Sequence, residues 1–129
     1  MIRYSNAEAI TVPQFRDLLV RSTLAARRPI NDESALAAML EHANLLATAW
    51  DGPLLVGVGR ALTDFTFCCY LSDLAVDENY QHQGIGKALV ATVRERLQPA
   101  CKIILIAAPA ATEYYPKIGF TSHPSAWIA

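Results

Sequence analysis

The stretch Leu74-Ala75-Val76-Asp77-Glu78-Asn79-Tyr80-Gln81-His82-Gln83-Gly84-Ile85-Gly86-Lys87-Ala88-Leu89-Val90 decides the fold. An apolar run ends, a polar turn follows, two glycines stand two residues apart, and an amphipathic helix begins at once. The first N–H groups of a helix have no intrahelical partners, and the helix dipole adds partial positive charge there. With glycines in front, such a turn admits a phosphate or pyrophosphate close to the backbone. The pattern predicts an anion site over Gln81, His82, Gln83, Gly84, Ile85, Gly86, Lys87 and Ala88.

Two common phosphate loops fail on named residues. A P-loop needs a glycine five residues before Gly86 and a hydroxyl after Lys87, where this chain has Gln81 and Ala88. The dinucleotide fingerprint needs a third glycine where Leu89 stands. What fits is Q/R-x-x-G-x-G/A, as Gln81-His82-Gln83-Gly84-Ile85-Gly86. This resembles the acyl-CoA pyrophosphate loop of the GNAT superfamily of N-acetyltransferases. A second segment, Thr112-Glu113-Tyr114-Tyr115-Pro116-Lys117-Ile118-Gly119-Phe120, resembles the family's closing motif of tyrosine, basic residue, apolar residue and Gly-Phe. Leu71-Ser72-Asp73-Leu74-Ala75-Val76 resembles the strand before the loop. The resemblance is specific from Leu71 to Phe120; before Trp50 only the order of elements agrees.

The periodicities predict a strand at Met1–Tyr4, helices at Pro13–Ser22 and Asp32–Ala43, and a hairpin of Leu45–Trp50 with Leu54–Ala61. A long strand buried on both faces is expected over Phe65–Val76, then a helix over Gly86–Leu97. Lys102–Ala107 is almost wholly apolar, which predicts a central strand. A short helix at Ala110–Ile118 and a last strand in Phe120–Ile128 complete an α/β fold, a mixed sheet of about six strands flanked by about four helices. The whole chain, 1–129, is expected to be a single domain.

The resemblance implies a chemistry. The loop would hold acetyl-CoA as acyl donor, and the pantetheine arm would pair with backbone at Leu74, Ala75 and Val76 like an added strand. The strand would carry a bulge that splays it from its parallel neighbour. Tyr115 aligns with the family's general acid toward the leaving thiolate, and its neighbour Tyr114 points elsewhere on a helix. Asp73, an acid inside a strand, is the candidate base or a structural acceptor. In the family the acceptor pocket includes the link between the first two helices, where Arg27 and Arg28 suit a carboxylate or phosphate. Two residues depart from the pattern. Ala108 replaces an asparagine that helps hold pantetheine, and Pro116 directly follows the tyrosine.

The expected activity is acetyl transfer from acetyl-CoA to the primary amine of a small molecule or peptide, directly in a ternary complex. The alternative is a non-catalytic acyl-CoA sensor. A formal charge of −1 forecasts no nucleic-acid partner, and no apolar run is long enough to span a membrane. Three cysteines, an odd number, make no disulfide framework, and the histidines and cysteines lack metal spacing, so no metal and a cytoplasmic setting are expected. The short C-terminus leaves a sheet edge that a second subunit could complete as a homodimer.

Overall fold

A computed structural model describes all residues, Met1–Ala129. Five strands, β1 (Ile2–Ser5), β2 (Leu45–Asp51), β3 (Leu54–Thr63), β4 (Cys68–Val76) and β5 (Lys102–Ile104), form one sheet in sequential order. All neighbours are antiparallel except β4 and β5. The helices are α1 (Val12–Arg21), α2 (Glu33–His42), α3 (Ile85–Arg94) and the four-residue α4 (Tyr114–Lys117). The α/β class holds.

The helices start where side chains can take their free N–H groups. Thr11 accepts from the Gln14 amide at 3.2 Å while the Gln14 side chain accepts from the Thr11 amide at 2.9 Å, closing a capping box on α1. Asp32 caps α2 through the Ala35 amide. Helix α3 buries Ile85, Leu89 and Val93 against Leu45, Ala47 and Leu71 of the sheet. On the other sheet face, Phe15, Leu18 and Leu19 of α1 and Leu36 of α2 pack on Leu55, Val58 and Ala75. Two amphipathic layers thus clamp one sheet.

One irregularity positions the site. Between β3 and β4 the register runs Arg60 to Asp73 and then Ala61 to Leu71, leaving Ser72 as an extra residue on β4. Such a bulge reverses which face each later side chain points to. Cys69 and Leu71, before it, lie in the core under α3, whereas Ala75, after it, lies in the core under α1 and α2. The bulge therefore turns Asp73 toward the α1–α2 side.

Five expectations need correction. Strand β4 begins at Cys68, because the Asp64 carboxylate accepts from the amides of Thr66, Phe67 and Cys68 and folds Phe65–Phe67 into a turn. Those three bonds also hold the Asp64 carboxyl below its ordinary range. Nor is β4 buried on both faces; buried residues alternate with more open ones along it. The apolar segment at Lys102 supplies only a three-residue strand, and it lies at the sheet edge, with Ile104 52% exposed. No strand forms in Phe120–Ile128, where Pro124 lacks the N–H a ladder needs and Trp127 is 91% exposed. The sheet has five strands for that reason. Ala110–Ile118 is split into a 3-10 turn at Pro109–Ala111 and the short α4.

Candidate active site

Strands β4 and β5 pair only from Cys68–Tyr70 to Lys102–Ile104 and then part. A cleft of about 750 Å³ opens in the gap, bounded by β4, the Gln81–Lys87 turn, the link between α1 and α2, and the segment from Leu105 to Ile118.

The floor of the cleft is an unpaired strand edge. The Val76 carbonyl points away from β3 and accepts from Gln81 Nε2 at 3.2 Å, while the next amide, Asp77, donates to Val56 on β3 at 2.8 Å. Backbone groups alternate sides along a strand, so Leu74 turns its N–H and carbonyl to the same open edge as Val76. Ala75 pairs toward Val58 on β3 and sends its methyl into the core. Leu74 and Val76 thus offer the edge that an extended ligand can join, and Ala75 holds it in place.

That edge runs into the turn. Asp77 caps the short 3-10 turn Glu78–Tyr80 by accepting from the Asn79 amide at 2.8 Å, and Arg21 grips its other oxygen at 2.5 Å. The Tyr80 hydroxyl donates to Asp51 at 2.6 Å. From this anchored base the backbone enters the left-handed region twice, at His82 (φ 63°) and Gly84 (φ 82°). Only at Gly84 is that conformation free of Cβ strain. No protein acceptor takes the amides of His82 to Lys87. Lys87 makes no ion pair, and with Gly84, Gly86 and His82 it lines the cleft. The result is a concave row of donors at the positive end of α3, which fits a pyrophosphate.

The two tyrosines divide the opposite wall. A Cβ placed on Gly86 would lie 2.0 Å from the Tyr114 hydroxyl oxygen, so Tyr114 covers the first turn of α3. Tyr115 is held by the end of its helix. The Phe120 amide donates to the Tyr115 carbonyl at 3.0 Å and the Gly119 amide to Pro116 at 3.3 Å, with Gly119 at φ 97°. This left-handed C-cap brings Phe120 edge-on to the Tyr115 ring, 5.5 Å between centroids. The Gly119-Phe120 pair therefore fixes the phenol even though Pro116 limits α4 to one turn. Burial pushes the Tyr115 pKa up, the Tyr114 hydroxyl adds to the rise, and the Arg28 guanidinium opposes it.

Asp73 sits between two arginines. It is 1% exposed; Arg28 Nε donates to Oδ1 at 2.5 Å and Arg60 Nε donates to Oδ2. Arg28 also donates to the Ser72 carbonyl and the Arg27 carbonyl, both at 2.8 Å; Arg60 reaches the Ser72 hydroxyl at 2.8 Å and the Met39 carbonyl at 3.2 Å. Both carboxylate oxygens are engaged, so Asp73 locks the bulge and Arg28 together. Arg28 is half of this lock, while Arg27 makes no side-chain bond and is exposed on the cleft rim. Arg60 and Arg21 are site-building residues that the sequence did not mark; an arginine inside an otherwise apolar strand was the available signal for Arg60. His42 and His123 lie outside the cleft, Ala108 lines it, and no cluster of three His, Cys, Asp or Glu is placed to hold a metal ion.

Comparison with known proteins agrees with this geometry. The family described as acetyltransferase (GNAT) domain matches residues 15–127. A protein named histone acetyltransferase TAP1 from soybean, Glycine max, is 33% identical over 111 residues, covering 76% of this chain and 47% of the relative. The chain spans about half the length, or less, of the first curated relatives it matches. Two solved structures share the fold over the full chain. A GNAT-family acetyltransferase of Streptococcus pneumoniae has TM-score 0.72 at 22% identity, covering 100% of this chain and 98% of that one. Glucosamine-6-phosphate N-acetyltransferase of Arabidopsis thaliana has TM-score 0.72 at 14% identity, with 100% and 97% covered. With its splayed β4–β5 wedge, its donor-lined Gly84–Gly86 turn and its C-capped tyrosine helix, this chain belongs to the GNAT acetyltransferase family.

Proposed function

We propose that the chain transfers an acetyl group from acetyl-CoA directly to a primary amine on a small molecule or peptide, with both substrates bound at once. The carrying observation is that the unpaired β4 edge at Leu74 and Val76 continues without a break into the free amides of His82 to Lys87. An extended arm pairs with the first while its pyrophosphate sits on the second. The Leu74 N–H polarises the thioester carbonyl. The amine nitrogen bonds to the carbonyl carbon, the C–S bond breaks, and Tyr115 gives its proton to the thiolate. Holding amine and thioester together supplies most of the acceleration, up to ~7–11 kcal/mol.

No carboxylate lines the cleft. In this reading Asp73 positions Arg28, and the amine releases its proton to solvent at the cleft mouth. The same lack of a free carboxylate favours the second reading, an acyl-CoA sensor without turnover. Release of free CoA from acetyl-CoA across a panel of amines, amino acids and peptides separates them. Tight acetyl-CoA binding with no amine turned over would leave the sensor. The histone acceptor named for the soybean relative is polycationic, and Arg27, Arg28 and Lys87 offer it no counter-charge.

Gly84→Glu places a negative charge against the pyrophosphate and should weaken acetyl-CoA binding by on the order of 100-fold. Gly84→Asn keeps a residue that tolerates the left-handed backbone and serves as the folding control. Calorimetric titration giving both variants the wild-type Kd would remove the loop from the site. The edge of β5, where Ile104 is half exposed, is where a second copy would dock in a homodimer. Sedimentation equilibrium should then give twice the chain mass, and Ile104→Lys should halve it; a monomer throughout would reject the dimer. Three free thiols, one of them exposed, suit a reducing cytoplasm.

A further inference from the structure

The acceptor end of the cleft carries surplus positive charge. Arg28, Asp73 and Arg60 form one cluster in which two guanidiniums share a single carboxylate, and no other acid pairs with either arginine. Arg60 is 6% exposed, so the charge it adds is shielded from solvent. Arg28 is the member that faces the cleft, with 19% of its side chain accessible. Beside it stands Arg27, exposed and without a partner, its carbonyl gripped by Arg28 Nη1 at 2.8 Å. The grip fixes the end of the 3-10 turn Leu24–Arg27 and leaves the Arg27 guanidinium free over the cavity.

These charges are separate from those for the pyrophosphate. Lys87 and the free amides lie beyond Val76, whereas Arg28 is bonded at Ser72 and Asp73. Four residues of extended strand separate Ser72 from Val76, roughly 13 Å. A donor whose phosphates sit on the turn leaves the arginine end to the acceptor. Two uncompensated positive charges, one on exposed Arg27 and one from the largely buried Arg28–Asp73–Arg60 cluster, disfavour a cationic ligand and favour an anionic one.

Resting on the acetyltransferase reading, we propose that the acceptor bears a carboxylate or phosphate near its amine. Arg27 selects it, backed by the surplus charge of the Arg28–Asp73–Arg60 cluster. The planar guanidinium meets either anion with paired N–H groups. Because Arg27 is exposed, its effect is modest per charge and screened by salt.

Four amidated tripeptides whose α-amine is their only primary amine test this: Ala-Glu-Glu, Ala-phosphoserine-Gln, Ala-Gln-Gln and Ala-Arg-Arg. Wild-type protein saturated with acetyl-CoA should favour the two anionic peptides over Ala-Arg-Arg by roughly tenfold or more in kcat/KM, mainly through KM. The larger of the two anionic values names carboxylate or phosphate as the group recognised. Arg27→Glu cancels the surplus charge of the cluster and should abolish the preference, and Arg27→Lys should keep it. Raising the salt concentration should shrink the preference. The acetyl-CoA Kd should stay within about twofold in each variant, since Arg27 is remote from the turn. Equal kcat/KM for anionic and cationic peptides, or a preference unchanged by Arg27→Glu, would overturn the inference while leaving the transfer reaction in place. Peptide binding to the acetyl-CoA complex, followed by calorimetry, covers the case without turnover. Arg27-dependent binding of the anionic peptides with no CoA released would sink the acetyltransferase reading and keep the anion site. Binding blind to charge would sink the site.

Discussion

Tyr115→Phe is expected to lower kcat by roughly 10²–10⁴ while folding and acetyl-CoA affinity survive. The substitution removes one hydroxyl and keeps the ring that packs edge-on against Phe120. The thiolate then has to take its proton from water, and kcat and kcat/KM should fall together, as for a contact made only in the transition state. The pH profile supplies an independent reading. A general acid must be protonated, and burial raises Tyr115 above the usual tyrosine value of 10.0. Activity should therefore fall only above about pH 10, and that alkaline limb should vanish in the Phe variant. Tyr114→Phe belongs beside it. Its hydroxyl lies over Gly86 at the pyrophosphate end, so its loss should appear in the acetyl-CoA Kd and leave kcat largely alone. Wild-type kcat in Tyr115→Phe, or a large loss at Tyr114 alone, would show that the proton comes from elsewhere.

How Tyr115 is held shows what the sequence could and could not reveal. Gly119 and Phe120 lie within five residues of it, and a C-cap is a local device, so a short motif carries it whole. The turn from Gln81 to Ala88 and the apolar stripe of α3 were legible for the same reason. Edges and partners were not. An apolar run such as Ile103-Ile104-Leu105-Ile106 has the composition of a central strand, and only the failure of Phe120–Ile128 to pair leaves it at the edge. Pro124 was the visible warning. At Phe65–Phe67 aromatic residues suggested strand, and Asp64 overrode them by taking three backbone amides. The bulge at Ser72 was expected by resemblance alone. Its consequence, Asp73 turned toward Arg28 and Arg60, depends on residues 45 and 13 positions away that no local pattern links.

That long-range lock carries the second large prediction. Asp73→Ala leaves two guanidiniums, one of them 6% exposed, without a counter-ion. Breaking a buried ion pair from one side costs about 3–5 kcal/mol. Against a domain stability of roughly 5–15 kcal/mol this is a large fraction, and Tm should drop by on the order of 10 °C or more. The lost bonds also free Arg28 from Oδ1, so the Ser72 bulge and the cleft wall loosen together. Asp73→Asn is the sharper comparison. An amide keeps the shape but offers one acceptor oxygen to two donors. If Asp73 is a lock, Tm falls in the Asn variant and acceptor KM rises with it. A solvent-linked catalytic base would instead lose kcat at unchanged Tm. Relieving the charge separates these further, since a buried pair replaced by apolar residues of similar volume is often tolerated. Asp73→Leu with Arg60→Met should regain part of the stability lost in Asp73→Ala, whereas transfer to an anionic acceptor should stay weak because Arg28 is still adrift. Unfolding curves for Asp73→Asn that overlay the wild type, with kcat reduced, would return Asp73 to the role of base.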